Sequence, residues 1–289
     1  MRREGPCSSP DRIIFETDSV RIGAFRCRPC ERSFEDSGPA QNYCFVFPRT
    51  AVVIQHEDER AFAANPNVVT FYNRHQSYRR TAISERGDYC DWFGVDADLA
   101  RDVVRIFDPD VDDRPERPFR MSRSWSDPRI YLLQRHLFQQ VDAAKISNPL
   151  IVEEQIMFLL EQVVRLAYRR SRPKLQGLTG RQHEAAHYVE LLLGRQFPKP
   201  LHLRGIAKQA GMSVYHLCRT FRRATGMAMH QYRHRLRVRS ALEPVCEPEK
   251  LPLTGIALDL GFSSHSHFTS AFHREFGETP SAPRARFLS

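Results

Sequence analysis

The sequence predicts an α+β chain of two domains: an N-terminal domain of β-strands with attached helices, and an all-helical C-terminal domain. Three observations lead to this fold class. Short β-branched and aromatic runs fill residues 13–93, the apolar period becomes helical from about Ala97, and a helix–glycine–helix pattern occurs twice after residue 200. With 289 residues the chain is long enough for two hydrophobic cores.

The β domain is assigned to residues 1–95 because its apolar runs have the composition of strands. These runs are 20–27, 43–47, 51–54, 68–72 and 89–93. Turn-forming residues separate them, including Glu57-Asp58-Glu59, Asn65-Pro66-Asn67 and Arg86-Gly87-Asp88. Several short strands at close spacing are typical of a sandwich or a small barrel.

Residues 96–170 are predicted to form a helical extension, with helices at 127–144 and 150–168 and a polar loop at 108–118. The second helix carries an apolar stripe at helical spacing. The stripe consists of Ile156, Leu159, Leu160, Val163, Val164 and Ala167. Two interpretations stay open: the stripe packs on its own domain, or it also contacts a second copy of the chain.

The C-terminal domain, residues 179–289, follows a charged, proline-containing linker at residues 171–178. Its two pattern copies are Leu203-x2-Ile206-Ala207-x2-Ala210-Gly211-Met212-Ser213-x3-Leu217-x3-Phe221-x4-Gly226 and Leu253-x2-Ile256-Ala257-x2-Leu260-Gly261-Phe262-Ser263-x4-Phe268-x3-Phe272-x4-Gly277. In each copy a glycine permits a sharp turn between two helices, and Ser213 or Ser264 caps the second helix. We expect the copies to superpose without a gap. Unrelated helical hairpins would explain either copy alone, but the duplication favours two matched helix-turn-helix units.

Charge is concentrated in the same region. Residues 178–289 contain 16 Lys and Arg against 8 Asp and Glu, whereas residues 1–177 contain 27 against 26, so nearly all of the net +9 lies in the C-terminal domain. A basic domain joined to a near-neutral one is typical of a nucleic-acid-binding protein. A solvated basic surface is the alternative interpretation.

A longer set of residues extends the duplicated pattern across residues 201–284. The set comprises Ile206, Ala207, Gly211, Met212, Ser213, His216, Leu217, Arg219, Phe221, Gly226, Tyr232, Arg235, Ala241, Ile256, Ala257, Gly261, Phe262, Phe268, Phe272, Phe276, Gly277, Thr279, Pro280 and Arg284. With these residues the segment resembles the DNA-binding domain of AraC/XylS-type transcription regulators, although Pro283 replaces the family's usual Tyr. The resemblance implies a tandem helix-turn-helix domain that binds double-stranded DNA, and an N-terminal cupin-like jelly roll that binds a small effector, dimerises, or does both.

Candidate DNA contacts lie on the recognition-helix faces that point away from the core. In the first unit they are Ser213, Tyr215, Cys218, Arg219, Arg222 and Arg223, and in the second Ser264, His265, Ser266, Thr269, Ser270 and His273. The second face has no Arg, Gln or Asn for a bidentate base contact, so we expect the first unit to supply more base specificity. The second unit then contributes more through phosphate contacts or DNA shape. Arg219 has an alternative interpretation as a structural ion-pair partner.

A helix predicted at 229–242 joins the two units and places the recognition helices about one DNA turn apart, roughly 34 Å. Arginines at 233, 235, 237 and 239 alternate along it and cannot all face one way. Some are expected to contact phosphate, and Arg235 is expected to brace the two units.

Tyr72, His75, Tyr78 and Trp92 are the candidate effector-binding residues because they combine aromatic surface with hydrogen-bonding groups. RNA polymerase and a second copy of the chain are further candidate partners. No cofactor is expected. The sequence has no apolar run near 18 residues and no secretion leader, so we expect no membrane association and a cytoplasmic location.

Two enzyme classes are alternatives to a regulator. A metal-dependent cupin enzyme needs three or four N/O ligands, but residues 13–93 contain only His56 and His75. Cys27-Arg-Pro-Cys30 resembles, one residue short, the element of zinc-dependent DNA alkyl-damage repair proteins, yet only Cys44 and Cys90 follow it in this domain. The odd total of seven cysteines favours small strand hydrophobes in a reducing compartment. We therefore expect a protein that is not an enzyme.

Overall fold

The computed structural model describes residues 10–31, 34, 38–57, 59–146, 148–170, 178–246 and 251–288. Within them strands are confined to the first 125 residues, and helices predominate from Ala97 onward. The mixed helix and sheet class predicted from the sequence is confirmed. Cys7, Asp58 and residues 171–177 of the predicted linker lie outside the described residues.

The described strands pair antiparallel throughout and form two sheets. They are β1 (Asp11–Glu16), β2 (Val20–Cys27), β3 (Tyr43–Pro48), β4 (Val52–His56), β5 (Phe62–Ala64), β6 (Val68–Tyr72), β7 (Tyr78–Ala82), β8 (Asp88–Val95) and β9 (Arg123–Trp125). The larger sheet has the order β1-β2-β8-β3-β6-β9, and the smaller has the order β5-β4-β7. The five predicted apolar runs correspond to β2, β3, β4, β6 and β8.

Two cores lie on opposite faces of the larger sheet because successive side chains of a strand alternate. Phe45, Phe47 and Phe93 face the helices and are fully buried there. Val46 and Trp92, one position away, face the smaller sheet. The Phe45 and Phe93 rings stack with centroids 5.3 Å apart. The sandwich therefore has one core between its sheets and a separate core that supports the helices.

Three helices cover the outer face of the larger sheet: α1 (Ala97–Arg105), α2 (Pro128–Asp142) and α3 (Pro149–Arg170). They confirm the helices predicted at 127–144 and 150–168. All six residues of the predicted α3 stripe are at most 3% exposed. The stripe packs within the chain, so a contact with a second copy must use another face of α3.

The described part of the C-terminal domain contains eight helices. They are α4 (Gly180–Gln196), α5 (Leu203–Gln209), α6 (Val214–Thr225), α7 (Met229–Ser240), α8 (Leu242–Cys246), α9 (Leu253–Asp259), α10 (His265–Phe276) and α11 (Ser281–Leu288). Thr179 caps α4. The single helix predicted at 229–242 is divided in the structure, because α7 ends at Ser240 and α8 begins at Leu242. No helix in the described ranges is long and apolar enough to cross a membrane.

The two helix-turn-helix units repeat the same local chemistry with one difference. Gly211 and Gly261 both adopt left-handed backbone, with φ of 62° and 80°. Ser213 accepts a hydrogen bond from the His216 amide at 3.3 Å, and Ser264 accepts one from His267 at 3.1 Å. The glycines are 50 residues apart and the caps 51. The expected gapless superposition is therefore wrong, because the second turn is one residue longer.

Candidate nucleic-acid interface

In the first unit α6 turns one face to the core and the other to an open cleft. Leu217 and Phe221 are fully buried, as their spacing predicted. Tyr215, on the opposite face, is 68% exposed. With Cys218, Arg219 and Arg222 it lines a cleft of about 570 Å³. Four predicted reading residues therefore meet on one accessible surface.

The second unit presents a corresponding face of α10, while Phe268 and Phe272 are fully buried behind it. The exposed members of the predicted set are His265, Ser266, Ser270 and His273. Thr269 is half-buried, and its hydroxyl oxygen is shielded from solvent. This surface carries short polar side chains and imidazoles rather than guanidinium groups.

Three remaining predicted residues lie at the ends of the recognition helices. Ser213 and Ser264 are the N-caps of α6 and α10, so their hydroxyls accept hydrogen bonds from the helix backbone. Arg223 is exposed in the last turn of α6. These serines fix where the two helices begin. The exposed N-terminus of a helix is a favourable position for a phosphate.

A basic groove of about 670 Å³ runs along α7 between the two units. Its lining includes His230, Arg233, His234, Arg237 and Arg274. His230 and Arg233 also line the cleft of the first unit, whereas Arg274 belongs to α10. The groove thus shares residues with the cleft of the first unit and reaches α10 of the second unit at Arg274 and Glu275.

Three of the alternating arginines of α7 line this groove and also make contacts within the domain. Arg233 and Arg237 both donate to the Phe197 carbonyl, at 2.9 and 2.8 Å. Burial, together with the charge of neighbouring Arg233, lowers the pKa of Arg237 to about 10. Arg235 approaches Glu275 of α10 at 3.7 Å and Met227, which precedes α7, at 3.3 Å. The bracing role predicted for Arg235 agrees with these contacts.

The second unit also contacts the segment that leads into the first unit. A Cβ at Gly261, in the second turn, would lie only 2.2 Å from the carbonyl oxygen of Pro198, which precedes the first unit. Arg237 donates to the same carbonyl at 2.9 Å. Only glycine permits this approach and the left-handed backbone together. The relative position of the two units is therefore fixed by packing as well as by α7.

The sequence analysis missed the residues on the far side of α7, which faces the β domain. Tyr232 and Arg239 are 0% and 1% exposed. Arg239 donates to the carbonyl oxygens of Pro66 and Ser126 at 2.8 and 3.0 Å. The available signal was the helical spacing of Tyr232, Leu236 and Arg239, which puts all three on one face.

A second cavity, of about 360 Å³, lies between the two sheets of the β domain. Tyr72, Tyr78 and Trp92 line it, as three of the four predicted effector-binding residues. Arg80 and Asp88 form an ion pair at its wall, with Nε and Oδ2 2.6 Å apart. Burial raises the pKa of Asp88, while Arg80 opposes that rise.

His75, the fourth predicted residue, does not line this cavity. It lies in the turn after β6 with a φ of 63° and an exposed side chain. The left-handed backbone turns it out of the sandwich. By contrast, His56 is buried, and its ring centroid is 4.8 Å from that of Tyr72.

The cysteines of the predicted zinc element differ in environment. Cys27 is buried at the end of β2, and Cys30 is exposed in the following turn. In the described ranges, no group of three or more His, Cys, Asp or Glu side chains is placed to hold a metal ion.

Comparison with known proteins places the two units in one matched segment. Residues 206–286 match the profile of a family described as a helix-turn-helix domain. The regulatory protein SoxS of Salmonella typhimurium is 36% identical over 88 residues, which are 30% of this chain and 81% of that protein. The matched segment therefore makes up most of SoxS.

Two further similarities cover different shares of the chain. The HTH-type transcriptional regulator ArgR of Pseudomonas aeruginosa is 30% identical over 142 residues, 49% of this chain and 40% of that protein. A solved transcriptional regulator of the AraC-type DNA-binding class from Chromobacterium violaceum is 27% identical, with a TM-score of 0.35. That match covers 38% of this chain and 98% of the solved one.

Proposed function

The chain belongs to the AraC/XylS family of transcription regulators, and from this membership we propose that α6 and α10 enter two successive major grooves of its DNA target. The protein is a sequence-specific DNA-binding regulator. The observation that supports the two-groove arrangement is the basic groove along α7, which shares residues with the cleft of the first unit and reaches α10 of the second. Its arginines and histidines suit the phosphate backbone between the grooves.

We expect the first unit to carry more of the base recognition. Arg219→Ala should weaken binding to a selected duplex by about 1–3 kcal/mol, because a guanidinium can form a charged or bidentate base contact. Ser266→Ala should weaken it less, since water can replace a short hydroxyl. Fluorescence anisotropy measures both, with Arg86→Ala in the β domain as the charge control. Greater loss of base preference in Ser266→Ala and Thr269→Ala than in Arg219→Ala would reverse this assignment.

We infer that the β domain is a cupin-like barrel that binds a small effector rather than a catalytic substrate. The cavity between its sheets supports this proposal because aromatic rings and polar side chains line it together. Tyr72, Tyr78 and Trp92 supply the apolar walls, and Arg80 and Asp88 supply a fixed polar contact. A cavity of this size that combines aromatic walls with a few fixed polar contacts is typical of a small-molecule site. RNA polymerase is a further proposed partner.

We also propose that the chain forms a homodimer through the outer face of α3. This face exposes Leu150, Ile151, Met157 and Phe158. Glu154 lies in its first half, and Arg165 and Arg169 lie in its second half. A two-fold axis near the helix centre pairs Glu154 of each copy with Arg165 of the other, whereas parallel pairing would oppose like charges.

A pocket lies at one end of the same face. Phe107, Arg165, Tyr168 and Arg169 line a pocket of about 440 Å³ at its C-terminal end. Antiparallel pairing brings the exposed Leu150 and Ile151 of the other copy to this pocket. The proposed contact is therefore isologous, with each end of α3 filling the complementary end of its partner.

Phe158→Glu should convert the dimer to a monomer, because it places a charge at the centre of the proposed apolar contact. Sedimentation of the full chain measures this change. Leu258→Glu is the matched control, since Leu258 is also an exposed apolar residue but lies on α9. Glu154→Arg should likewise weaken the dimer, and Arg165→Glu in the same chain should restore it. A wild-type chain that stays monomeric at every accessible concentration, on and off DNA, would refute the dimer.

A further inference from the structure

The loop between β5 and β6 holds α7 from the side of the β domain. Asn65 donates from Nδ2 to the Tyr232 hydroxyl at 2.8 Å, and Asn67 donates from Nδ2 to the Tyr232 carbonyl at 3.2 Å. Arg239 donates from Nη1 to the Pro66 carbonyl at 2.8 Å. All of these groups are buried. Breaking any one of the bonds would leave a polar group in the interface without its partner.

The same two residues of α7 contact both recognition helices. The Tyr232 ring packs edge-on against Phe221 of α6, with centroids 5.4 Å apart. Arg239 Nε donates to Oε1 of Glu275, on α10, at 2.9 Å. One loop of the β domain therefore connects to both reading units through two side chains of one helix.

The loop approaches α7 from the side away from the basic groove. Tyr232 and Arg239 are seven residues apart, two helical turns, and share one face. His230, Arg233, His234 and Arg237 line the groove on the opposite face. The loop consequently leaves the DNA-facing side of α7 open, so its contacts restrain the two units without covering the reading surface.

We propose that the Asn65–Pro66–Asn67 loop is a brace that fixes the spacing of the two recognition helices. Asn65, Asn67, Tyr232 and Arg239 are its positioning residues. The inference rests on the proposed reading of two grooves, because a fixed spacing matters only when both units bind together. Because the brace holds α7, the two units are already ordered relative to each other before they bind one DNA duplex. Binding therefore carries no further cost for ordering them.

The position of the brace also connects it to the effector cavity. β6 begins at Val68, directly after the loop, and ends at Tyr72 in the cavity wall. Trp125 of β9 pairs with Val68, and its ring contacts Tyr232 with centroids 5.9 Å apart. A ligand that moves β6 would therefore act on the brace and on α7.

The test compares two buried asparagines of the β domain in the full chain. Asn65→Ala removes a brace contact. Asn73→Ala is the matched control, because the buried Asn73 side chain bonds to the Phe119 backbone, which lies on the N-terminal side of the linker and not on α7. The probe is a duplex of about 30 base pairs selected by the wild-type chain from a random library, long enough for two adjacent grooves. Affinity is measured across a salt series for each variant.

Asn65→Ala should weaken binding by about fivefold or more, the lower range of typical coupling between sites. It should also flatten the dependence of affinity on salt, since a less constrained second unit makes fewer phosphate contacts. Asn73→Ala should change neither quantity, although it also removes buried hydrogen bonds. A general loss of folded protein lowers the active fraction but does not change the salt slope.

Arg239→Lys provides a second variant should Asn65→Ala fail to fold. Lysine keeps the positive charge but lacks the planar guanidinium group that reaches two carbonyl oxygens and Glu275. We expect the same weaker binding and the same flatter dependence of affinity on salt. Unchanged affinity and slope in these variants, or tighter binding, would overturn the brace. Failure of the wild-type chain to select any duplex would instead overturn the proposed two-groove reading.

Discussion

Asp91→Asn is expected to lower the free energy of unfolding by about 3–5 kcal/mol at pH 7, the loss typical of a broken buried ion pair. Asp91 is fully buried on β8. Its carboxylate lies 3.0 Å from Arg26, 3.5 Å from Arg49 and 3.2 Å from Arg135. The substitution would leave buried guanidinium groups without their shared anion. Chemical denaturation of the full chain measures the change.

Asp112→Asn is the control for this variant. Asp112 also pairs with an arginine, Arg105, but both side chains are on the surface. Surface pairs contribute little to stability. The control should therefore unfold at nearly the wild-type denaturant concentration. An Asp91→Asn chain as stable as this control would contradict the structural role given to the buried cluster.

The same carboxylate predicts how stability depends on pH. Burial alone would raise the pKa of Asp91, but Arg49, Arg135 and Arg26 outweigh it and hold the pKa below the usual 3.8. Its contribution is therefore complete above that value and is lost as the pH falls through the lower folded-state pKa. We expect the stability difference between wild type and Asp91→Asn to shrink in acid. A difference independent of pH would contradict this ionisation state.

The largest functional effect should come from salt. Between about 50 and 200 mM salt, the affinity for duplex DNA should fall by about 10³-fold, because bound phosphates release counterions. The groove along α7 and the cleft of α6 place several of the domain's arginines on the reading side. The loss should be steep for the C-terminal domain as well, since almost all of the net charge lies there, but somewhat smaller than for the full chain because the isolated domain lacks the brace.

Periodic patterns made much of the fold predictable. The apolar and β-branched runs at 20–27 and 68–72 match the bounds of β2 and β6, and helical spacing located α2 and α3. β7 was missed because its Tyr-Arg-Arg-Thr-Ala sequence is largely polar. β9 has only three residues and gains its place by pairing with β6. Such strands depend on distant partners, which no local pattern reveals.

The part of the interface that lies on a single helix could be predicted from the sequence. The i, i+3 and i+4 spacing placed Tyr215, Cys218 and Arg219 together on α6, whereas nothing local identified the partners of Arg239. Its acceptors Pro66 and Ser126 are 173 and 113 residues away in the sequence. The position of His75 was also not predictable from its place in the sequence. Its proximity to Tyr72 in sequence does not specify the left-handed turn that points it outward.

A gel-shift salt series on a fragment of about residues 175–289, beside the full chain, tests the DNA-reading role of the C-terminal domain. The similarity to SoxS supports this choice of fragment, because the matched segment makes up 81% of that regulator. We expect the fragment to bind duplex DNA on its own, with an affinity that falls steeply as salt rises. Binding that is insensitive to salt, or no binding at any salt concentration, would contradict the assignment.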